Sequence, residues 1–189
     1  MGSVVIDMSM SLDGYIAAPN DNPEQGLGED GMRLHNWAFD DPSVFEQFYR
    51  DLTEQTGAVI MGRRSYDNSI EAWGGKGPLG DVPCFVVTRK ALASSDPVFT
   101  FVTDGIESAV ARAKSAAGPK SVLVHGARTI QECLDAGLLD EIHIDLAALL
   151  LGTGVRLFDH LANTPVVLGN PTVVTGVGVT HLRYPVHRS

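Results

Sequence analysis

The sequence predicts a single α/β domain, residues 1–189, in three layers: a mostly parallel central sheet, antiparallel strands at its C-terminal edge, and helices on both faces. Three observations predict it. Continuous apolar runs bounded by turn residues recur along the chain, which suits parallel strands buried on both faces. Patterns with helical spacing follow several of these runs. The last part of the chain shows strand patterns alone, which favours an antiparallel edge.

The N-terminal elements begin with a strand over residues 4–10. A polar segment over residues 11–41 follows, rich in Gly, Asn, Asp and Pro. A connection of that length inside a compact domain is usually functional or disordered. Pro42 then opens a helix, because proline suits the first helical turn. The apolar positions of this helix have helical spacing: Val44, Phe45, Phe48, Tyr49 and Leu52.

The central part of the chain alternates strands and helices, and its last part holds a hairpin. Gly118 and Pro119 end one helix, and Gly137 ends the next. The predicted strands are residues 58–62, 84–88, 98–102, 121–124 and 141–151, the helices are 65–72, 106–117 and 127–136, and the hairpin joins 172–175 to 177–184.

Composition restricts the possible partners. The net charge of −9 makes nonspecific binding to nucleic acid or to anionic membranes weak. No run approaches the roughly 20 apolar residues of a membrane span, and the N-terminus lacks a signal-peptide pattern. The two cysteines are far apart, which favours reduced thiols. We therefore expect a cytoplasmic protein that binds a small molecule rather than a nucleic acid or a membrane.

Three strand ends carry groups that attract phosphate. Ligands of open α/β sheets bind beyond the carboxyl ends of the strands, where free helix N–H groups favour anions. Arginine accompanies each of these ends, so we predict a ligand with several phosphates, first of all a dinucleotide. Ordinary helix starts and a basic strand end remain the alternatives. The three segments are Gly62-Arg63-Arg64-Ser65, Thr88-Arg89-Lys90 and Gly126-Ala127-Arg128-Thr129.

Five motifs in this order resemble the dihydrofolate reductase-like superfamily. More closely, they resemble the C-terminal reductase domain of the bifunctional riboflavin biosynthesis deaminase-reductase. The resemblance spans nearly the whole chain and implies the dihydrofolate reductase-like version of the three-layer fold. The motifs are Ser11-Leu12-Asp13-Gly14-Tyr15-Ile16-Ala17, Gly62-Arg63-Arg64-Ser65-Tyr66, Val87-Thr88-Arg89, His125-Gly126-Ala127, and Leu139-Asp140-Glu141-Ile142 with the later run at 150–158.

The resemblance implies a reductase that transfers hydride from NADPH to a carbon–nitrogen double bond or a nearby carbonyl of a pteridine-like or ribosylaminopyrimidine substrate. It implies that the loop with Asp13, Ile16 and Ala17 closes over the nicotinamide. The segment 88–90 would select NADPH through its 2′-phosphate. The segment 62–65 would hold the pyrophosphate or the 2′-phosphate, and the segment 126–129 would be a third anion site. Many relatives are dimers, so we expect a homodimer.

The catalytic acid is harder to assign. Dihydrofolate reductases carry a carboxylate at the start of the first helix, after a Trp-x-Leu-Pro pattern. Trp37 lacks that Leu and Pro here, which argues against folate as the substrate. Asp40, Asp41 and Glu46 compete for the role of proton donor, with Asp41 and Glu46 as the candidates and bound water as the alternative. Trp37 and Trp73 are candidate substrate-binding residues.

Other functions remain open from the sequence. A true dihydrofolate reductase, a noncatalytic nucleotide-binding sensor and a phosphosugar-binding domain would each use the same strand ends. His143 and Asp145 share one strand face, but no third ligand accompanies them, so no metal site is predicted.

Overall fold

A computed structural model describes residues 2–90 and 96–187. Its centre is an eight-stranded sheet in the order β5-β4-β3-β6-β1-β7-β10-β9, and β2 and β8 form a separate two-stranded ladder. The strands are β1 (Val4–Ser11), β2 (Tyr15–Ala17), β3 (Thr56–Gly62), β4 (Cys84–Val87), β5 (Phe99–Val102), β6 (Ser121–His125), β7 (Glu141–Ala147), β8 (Val155–Arg156), β9 (Thr172–Gly176) and β10 (Val179–Pro185).

The sheet is parallel from β5 to β7 and antiparallel at its C-terminal edge. β10 pairs antiparallel with both β7 and β9. The predicted hairpin is therefore present, with its turn at Val177 and Gly178. The fold class predicted from the apolar runs is confirmed.

Helices cover both faces of the sheet because the parallel strands are apolar on both sides. The helices are α1 (Asn36–Phe39), α2 (Pro42–Gln55), α3 (Arg63–Ser69), α4 (Ile106–Ala117) and α5 (Ala127–Asp135). α4 and α5 pack on one face, where Ile60 and Val124 are fully buried. Leu52 of α2 and Tyr66 of α3 pack on the other face, against Val59 and Met61. No helix in residues 2–90 and 96–187 is long and apolar enough to span a bilayer.

The segment 11–41 has more structure than a loop. It contains β2, a 3-10 helix (Gly31–His35) and α1, and it buries Tyr15, Leu34 and Ala38. These elements span only three to five residues each, which is too short for a periodic pattern to reveal.

The strand predicted over residues 141–151 is too long. β7 ends at Ala147, where the Leu149 N–H turns back to donate to the Ala147 carbonyl. Leu150 is exposed although it is apolar, so hydropathy alone could not locate the end of the strand.

Candidate active-site cleft

A cleft of about 1670 Å³ lies at the carboxyl ends of the parallel strands. This is the position expected for ligands of an open α/β sheet. It brings together residues from all three phosphate-attracting segments and from the segment after β1. The sequence-predicted residues that line it are Ile16, Ala17, Gly62, Arg63, Arg64, Ser65, Trp73, Thr88, Arg89, Gly126, Ala127, Arg128 and Thr129.

Three helices begin at this cleft with a glycine as N-cap. Gly62 precedes α3, Gly105 precedes α4 and Gly126 precedes α5. No N-cap side chain accepts from the first-turn N–H groups of these helices. Those donors therefore remain available to an anionic ligand, and the dipoles of α4 and α5 add positive potential.

The backbone approaches its neighbours closely at two of these glycines. A Cβ on Gly62 would lie 2.8 Å from Thr129 Oγ1, and a Cβ on Gly126 would overlap Ser65 Oγ. Gly126 also has φ of +90°, a conformation that residues with a Cβ rarely adopt. The starts of α3 and α5 thus form one cradle, in which Ser65 Oγ lies beside the Gly126 backbone.

The arginines of the cradle already have carboxylate partners. Arg63 pairs with Asp67 at 2.7 Å and Arg128 with Glu132 at 2.9 Å, each one helical turn apart. Arg64 makes a two-pronged contact with Asp21 at 2.9 and 2.6 Å. A phosphate would therefore compete with, or share, each of these guanidinium groups.

Arg89 differs from the other three arginines. It forms no ion pair with any residue in the described ranges 2–90 and 96–187, and it is exposed at the cleft beside Thr88. The Thr88 hydroxyl donates to the Lys90 carbonyl at 3.2 Å. Lys90 is exposed but does not line the cleft.

The β2–β8 ladder lies along the cleft and supplies Ile16, Ala17, Val155 and Arg156 to its wall. Asp13 does not line the cleft. Its carboxylate accepts from the Leu151 and Gly152 N–H groups at 3.1 and 2.7 Å, and the Ser11 hydroxyl bond lowers its pKa. Asp13 thereby ties the segment before β2 to the segment before β8, so it supports the wall rather than contacting the cavity.

Two histidines line the cleft that the phosphate-centred prediction did not include. Nδ1 of His35 and of His125 is buried without a hydrogen-bond partner. Burial lowers the pKa of His35, and burial together with the nearby His35 lowers the pKa of His125 to about 4. Both imidazoles are therefore neutral at pH 7, and Trp73 meets His125 edge-on at 6.0 Å. The two neutral imidazoles offer uncharged hydrogen-bonding groups beside the Trp73 ring, an arrangement that suits a flat polar heterocycle.

His35 could not be found from the sequence, because it lies in the segment expected to be a loop. His125 directly follows the predicted strand 121–124, and its motif His125-Gly126-Ala127 is one of the five that carry the resemblance. Its position one residue before Gly126 is the feature that marks it as a wall residue.

The candidate proton donors and Trp37 lie elsewhere. Asp41 caps α2 by accepting from the Ser43 N–H at 2.9 Å, and hydrogen bonds from the Ser43 hydroxyl and then from this N–H lower its pKa. Glu46 is exposed on α2, and Trp37 donates from Nε1 to Ser9 Oγ at 3.2 Å. None of the three lines the cleft, so the geometry gives no support for their predicted roles. Within the described residues, no group of three or more His, Cys, Asp or Glu side chains could hold a metal ion.

Comparison with known proteins places this architecture in a family. Residues 3–165 match the family model of the RibD C-terminal domain. The uncharacterized protein YwjB of Bacillus subtilis (strain 168) is 27% identical over 159 residues, which covers 84% of each chain. YyaP of the same organism is 25% identical over 168 residues and covers 82% of this chain and 79% of its own.

Solved structures share the fold. A protein of Shewanella sp. PV-4 ascribed to riboflavin biosynthesis superposes with a TM-score of 0.73 at 24% identity, over 98% of this chain and 99% of its own. The riboflavin biosynthesis reductase Rib7 of Saccharomyces cerevisiae gives 0.63 at 14% identity, over 98% and 90%. A bifunctional deaminase and 5-amino-6-(5-phosphoribosylamino)uracil reductase of Thermotoga maritima gives 0.59 at 11% identity; this chain covers 57% of that longer protein.

Proposed function

This chain belongs to the RibD C-terminal domain family, a family of reductase domains, and from that premise we propose that it is an NADPH-dependent reductase. Its substrate is a pteridine-like or ribosylaminopyrimidine ring, reduced at a carbon–nitrogen double bond or a nearby carbonyl. The observation that carries the proposal is the convergence of three helix starts without side-chain caps on one cleft, beside an arginine with no ion pair in the described residues.

The residues present fit a dinucleotide that carries phosphates. In the cradle of Gly62, Ser65 and Gly126, an added Cβ would press on the Thr129 and Ser65 hydroxyls, and the bare backbone lets N–H groups reach a pyrophosphate. Thr88 and Arg89 would hold the 2′-phosphate, since a guanidinium and a hydroxyl both donate to a dianion. When bound, NADPH supplies a hydride to the acceptor carbon.

The rest of the wall positions the substrate and excludes water. His125, His35 and Trp73 form the end of the cleft suited to a flat polar ring. Ile16, Ala17 and Gly154 cover the cavity from the side of the β2–β8 ladder. Alignment and water exclusion are the main contributions that a protein makes to hydride transfer.

Arg89→Ala tests the proposed coenzyme specificity. We expect the NADPH Kd to rise about 30-fold, because a hydrogen bond between charged groups contributes about 2 kcal/mol. The NADH Kd should stay unchanged, since NADH lacks the 2′-phosphate. Fluorescence titration of both coenzymes measures the difference. Arg50→Ala, on the exposed surface of α2, is the matched control and should change neither constant.

The absorbance of NADPH then tests turnover against dihydrofolate, dihydrobiopterin and the riboflavin-pathway ribosylaminopyrimidine. Oxidation with the ribosylaminopyrimidine or the pterin supports the proposal. Preferred turnover of dihydrofolate would indicate a true dihydrofolate reductase. Tight NADPH binding without oxidation would indicate a nucleotide sensor, and equal affinity for NADH and NADPH would remove Arg89 from the site.

We also propose that the protein is a homodimer that covers the edge strand β9. All five residues of β9 are exposed, and Val177 at its turn is 95% exposed. An apolar sheet edge of this kind favours pairing with another chain. Sedimentation equilibrium should give twice the chain mass of 20.2 kDa, and Val174→Lys should give a monomer. A wild-type monomer at micromolar concentration would contradict the proposal.

A further inference from the structure

Two buried aspartates lie on neighbouring strands, two register positions apart, and one of them, Asp7, lines the cleft. β1 and β7 are parallel neighbours in which Asp7 is opposite His143 and Ser9 is opposite Asp145. The side chain of Asp7 is 10% exposed and that of Asp145 is 8% exposed. Asp7 Oδ1 and Asp145 Oδ2 are both buried without a hydrogen-bond donor. One proton shared between these neighbouring carboxyl groups would satisfy both oxygens.

The pair reaches solvent through β10. His181 Nδ1 lies 2.6 Å from Asp145 Oδ1, and the His181 side chain is 30% exposed. Trp37 packs edge-on against the His181 ring at 5.1 Å and donates to Ser9 Oγ. These contacts hold the His181 ring in its position beside Asp145. Trp37, which lies outside the cleft, therefore has a structural role: it positions His181.

The pair reaches the cleft through Asp7, which lines the cavity together with Met8 and Ser9. In the neighbouring strand pair, Val5 is opposite Leu123. Two residues further along both strands, Asp7 and His125 lie on the same face of the sheet. Asp7 therefore faces the end of the cleft that the substrate ring occupies under the proposed function.

We propose that Asp7 donates the proton of the reduction and that Asp145 and His181 resupply it from solvent. This inference rests on the proposed reductase function. While the acceptor carbon gains hydride from the nicotinamide coenzyme, the π electron pair of the carbon–nitrogen bond moves to nitrogen. The nitrogen takes the proton from the Asp7 carboxyl, whose O–H bond breaks. A proton from water then returns through His181 and Asp145, so each turnover consumes one proton and leaves the pair unchanged.

The ionisation behaviour supports this arrangement. Burial and the adjacent Asp7 raise the pKa of Asp145 to about 6, against the opposing bond to His181. Burial opposes the charged form of His143, but its contacts with Asp7 and Glu141 outweigh that effect and raise its pKa. The pair can therefore hold a proton near neutral pH. The titratable and charged groups that face it are His35, His125, Glu141, His143, His181 and Arg183.

Asp7→Asn is the central test. We expect turnover to fall about 100-fold, as when a general acid is removed, while the NADPH Kd stays within twofold. In the wild type, turnover should fall as pH rises, because the donor must be protonated; Asp7→Asn should lose that dependence. His181→Gln should slow turnover partially, and added imidazole should restore it in His181→Gly. Asp51→Asn, on the exposed face of α2, is the control and should retain full turnover.

A readout without coenzyme separates this inference from the proposed function. The NMR titration of the Asp145 carboxyl should move to lower pH in Asp7→Asn, because the charge of Asp7 is one of the causes that raise the pKa of Asp145. NADPH binding and oxidation with an unchanged Asp7→Asn pH profile would overturn the relay alone. An Asp145 carboxyl that titrates identically in the wild type and in Asp7→Asn would also overturn it. A wild type that does not bind NADPH would overturn the proposed function instead.

Discussion

Gly126→Ala should raise the NADPH Kd at least about 100-fold. The new Cβ would overlap Ser65 Oγ, so the substitution displaces the hydroxyl and distorts the first turn of α5 together. Loss of two hydrogen bonds to a charged phosphate, at about 1.5 kcal/mol each, corresponds to that factor. Fluorescence titration with NADPH measures the effect, and NADH affinity should fall by the same factor because both coenzymes contain the pyrophosphate.

Backbone strain alone is the competing explanation, since Gly126 has a positive φ. Gly137→Ala controls for it. Gly137 has φ of +63° at the end of α5, does not line the cleft, and a Cβ added there would meet nothing within 4 Å. Gly137→Ala should lose about 1–2 kcal/mol of stability through its left-handed φ. Gly126→Ala should lose about 1–3 kcal/mol, because φ +90° with ψ +134° lies outside the left-handed helical region. Equal NADPH affinity in Gly126→Ala and Gly137→Ala would show that the cradle does not hold the coenzyme.

The sheet could be predicted from the sequence because its strands are buried on both faces and therefore appear as continuous apolar runs. Ile60 and Val124 belong to such runs, and both are fully buried. The elements of the segment 11–41 could not be predicted in the same way. β2 is three residues long and depends on pairing with β8, where Tyr15 meets Arg156, 141 positions away, so no local pattern specifies it.

The positions of the cleft residues could be predicted from the sequence more readily than the residues that their side chains contact. Strand ends place Gly62, Thr88 and Gly126 at one edge by topology. Arg63 and Asp67 are four residues apart, a spacing that itself predicts an ion pair within a helix. The contact between Arg64 and Asp21 joins residues 43 positions apart and required the fold.

The buried pair of Asp7 and Asp145 shows what strand register adds to the pattern of the sequence. His143 and Asp145 were visible on one strand face, but the sequence did not indicate which strand lies beside them. The pairing of β1 with β7 brings Asp7 to Asp145, and the antiparallel return of β10 brings His181 to the same place. Asp145, which the sequence pattern pairs with His143 without a third metal ligand, is thus one member of the proposed proton path with Asp7 and His181.

Gly154→Ala should disrupt the wall that covers the cleft and lower turnover about 100-fold, with a smaller effect on NADPH affinity. A Cβ on Gly154 would overlap the Ala17 carbonyl oxygen and lie 3.1 Å from Ala18 Cα. Both are backbone atoms of the β2 side of the ladder and cannot move without breaking it. The φ of +137° adds roughly 1–3 kcal/mol of strain, so we expect at least about 3 kcal/mol of lost stability. Turnover suffers most because the wall excludes water from the reacting groups.

Gly152→Ala is the matched control in the same segment. Gly152 also has a positive φ, +76°, but a Cβ there meets nothing within 4 Å, and its N–H can still donate to Asp13. Hydrogen exchange should show faster exchange of the Leu157 N–H, which donates to the Gly14 carbonyl, in Gly154→Ala but not in Gly152→Ala. Equal turnover and equal exchange in the two variants would mean that the ladder is a passive part of the surface. A selective loss in Gly154→Ala would make the β2–β8 ladder a working part of the site, because only the Cβ added at Gly154 meets the backbone of Ala17 and Ala18.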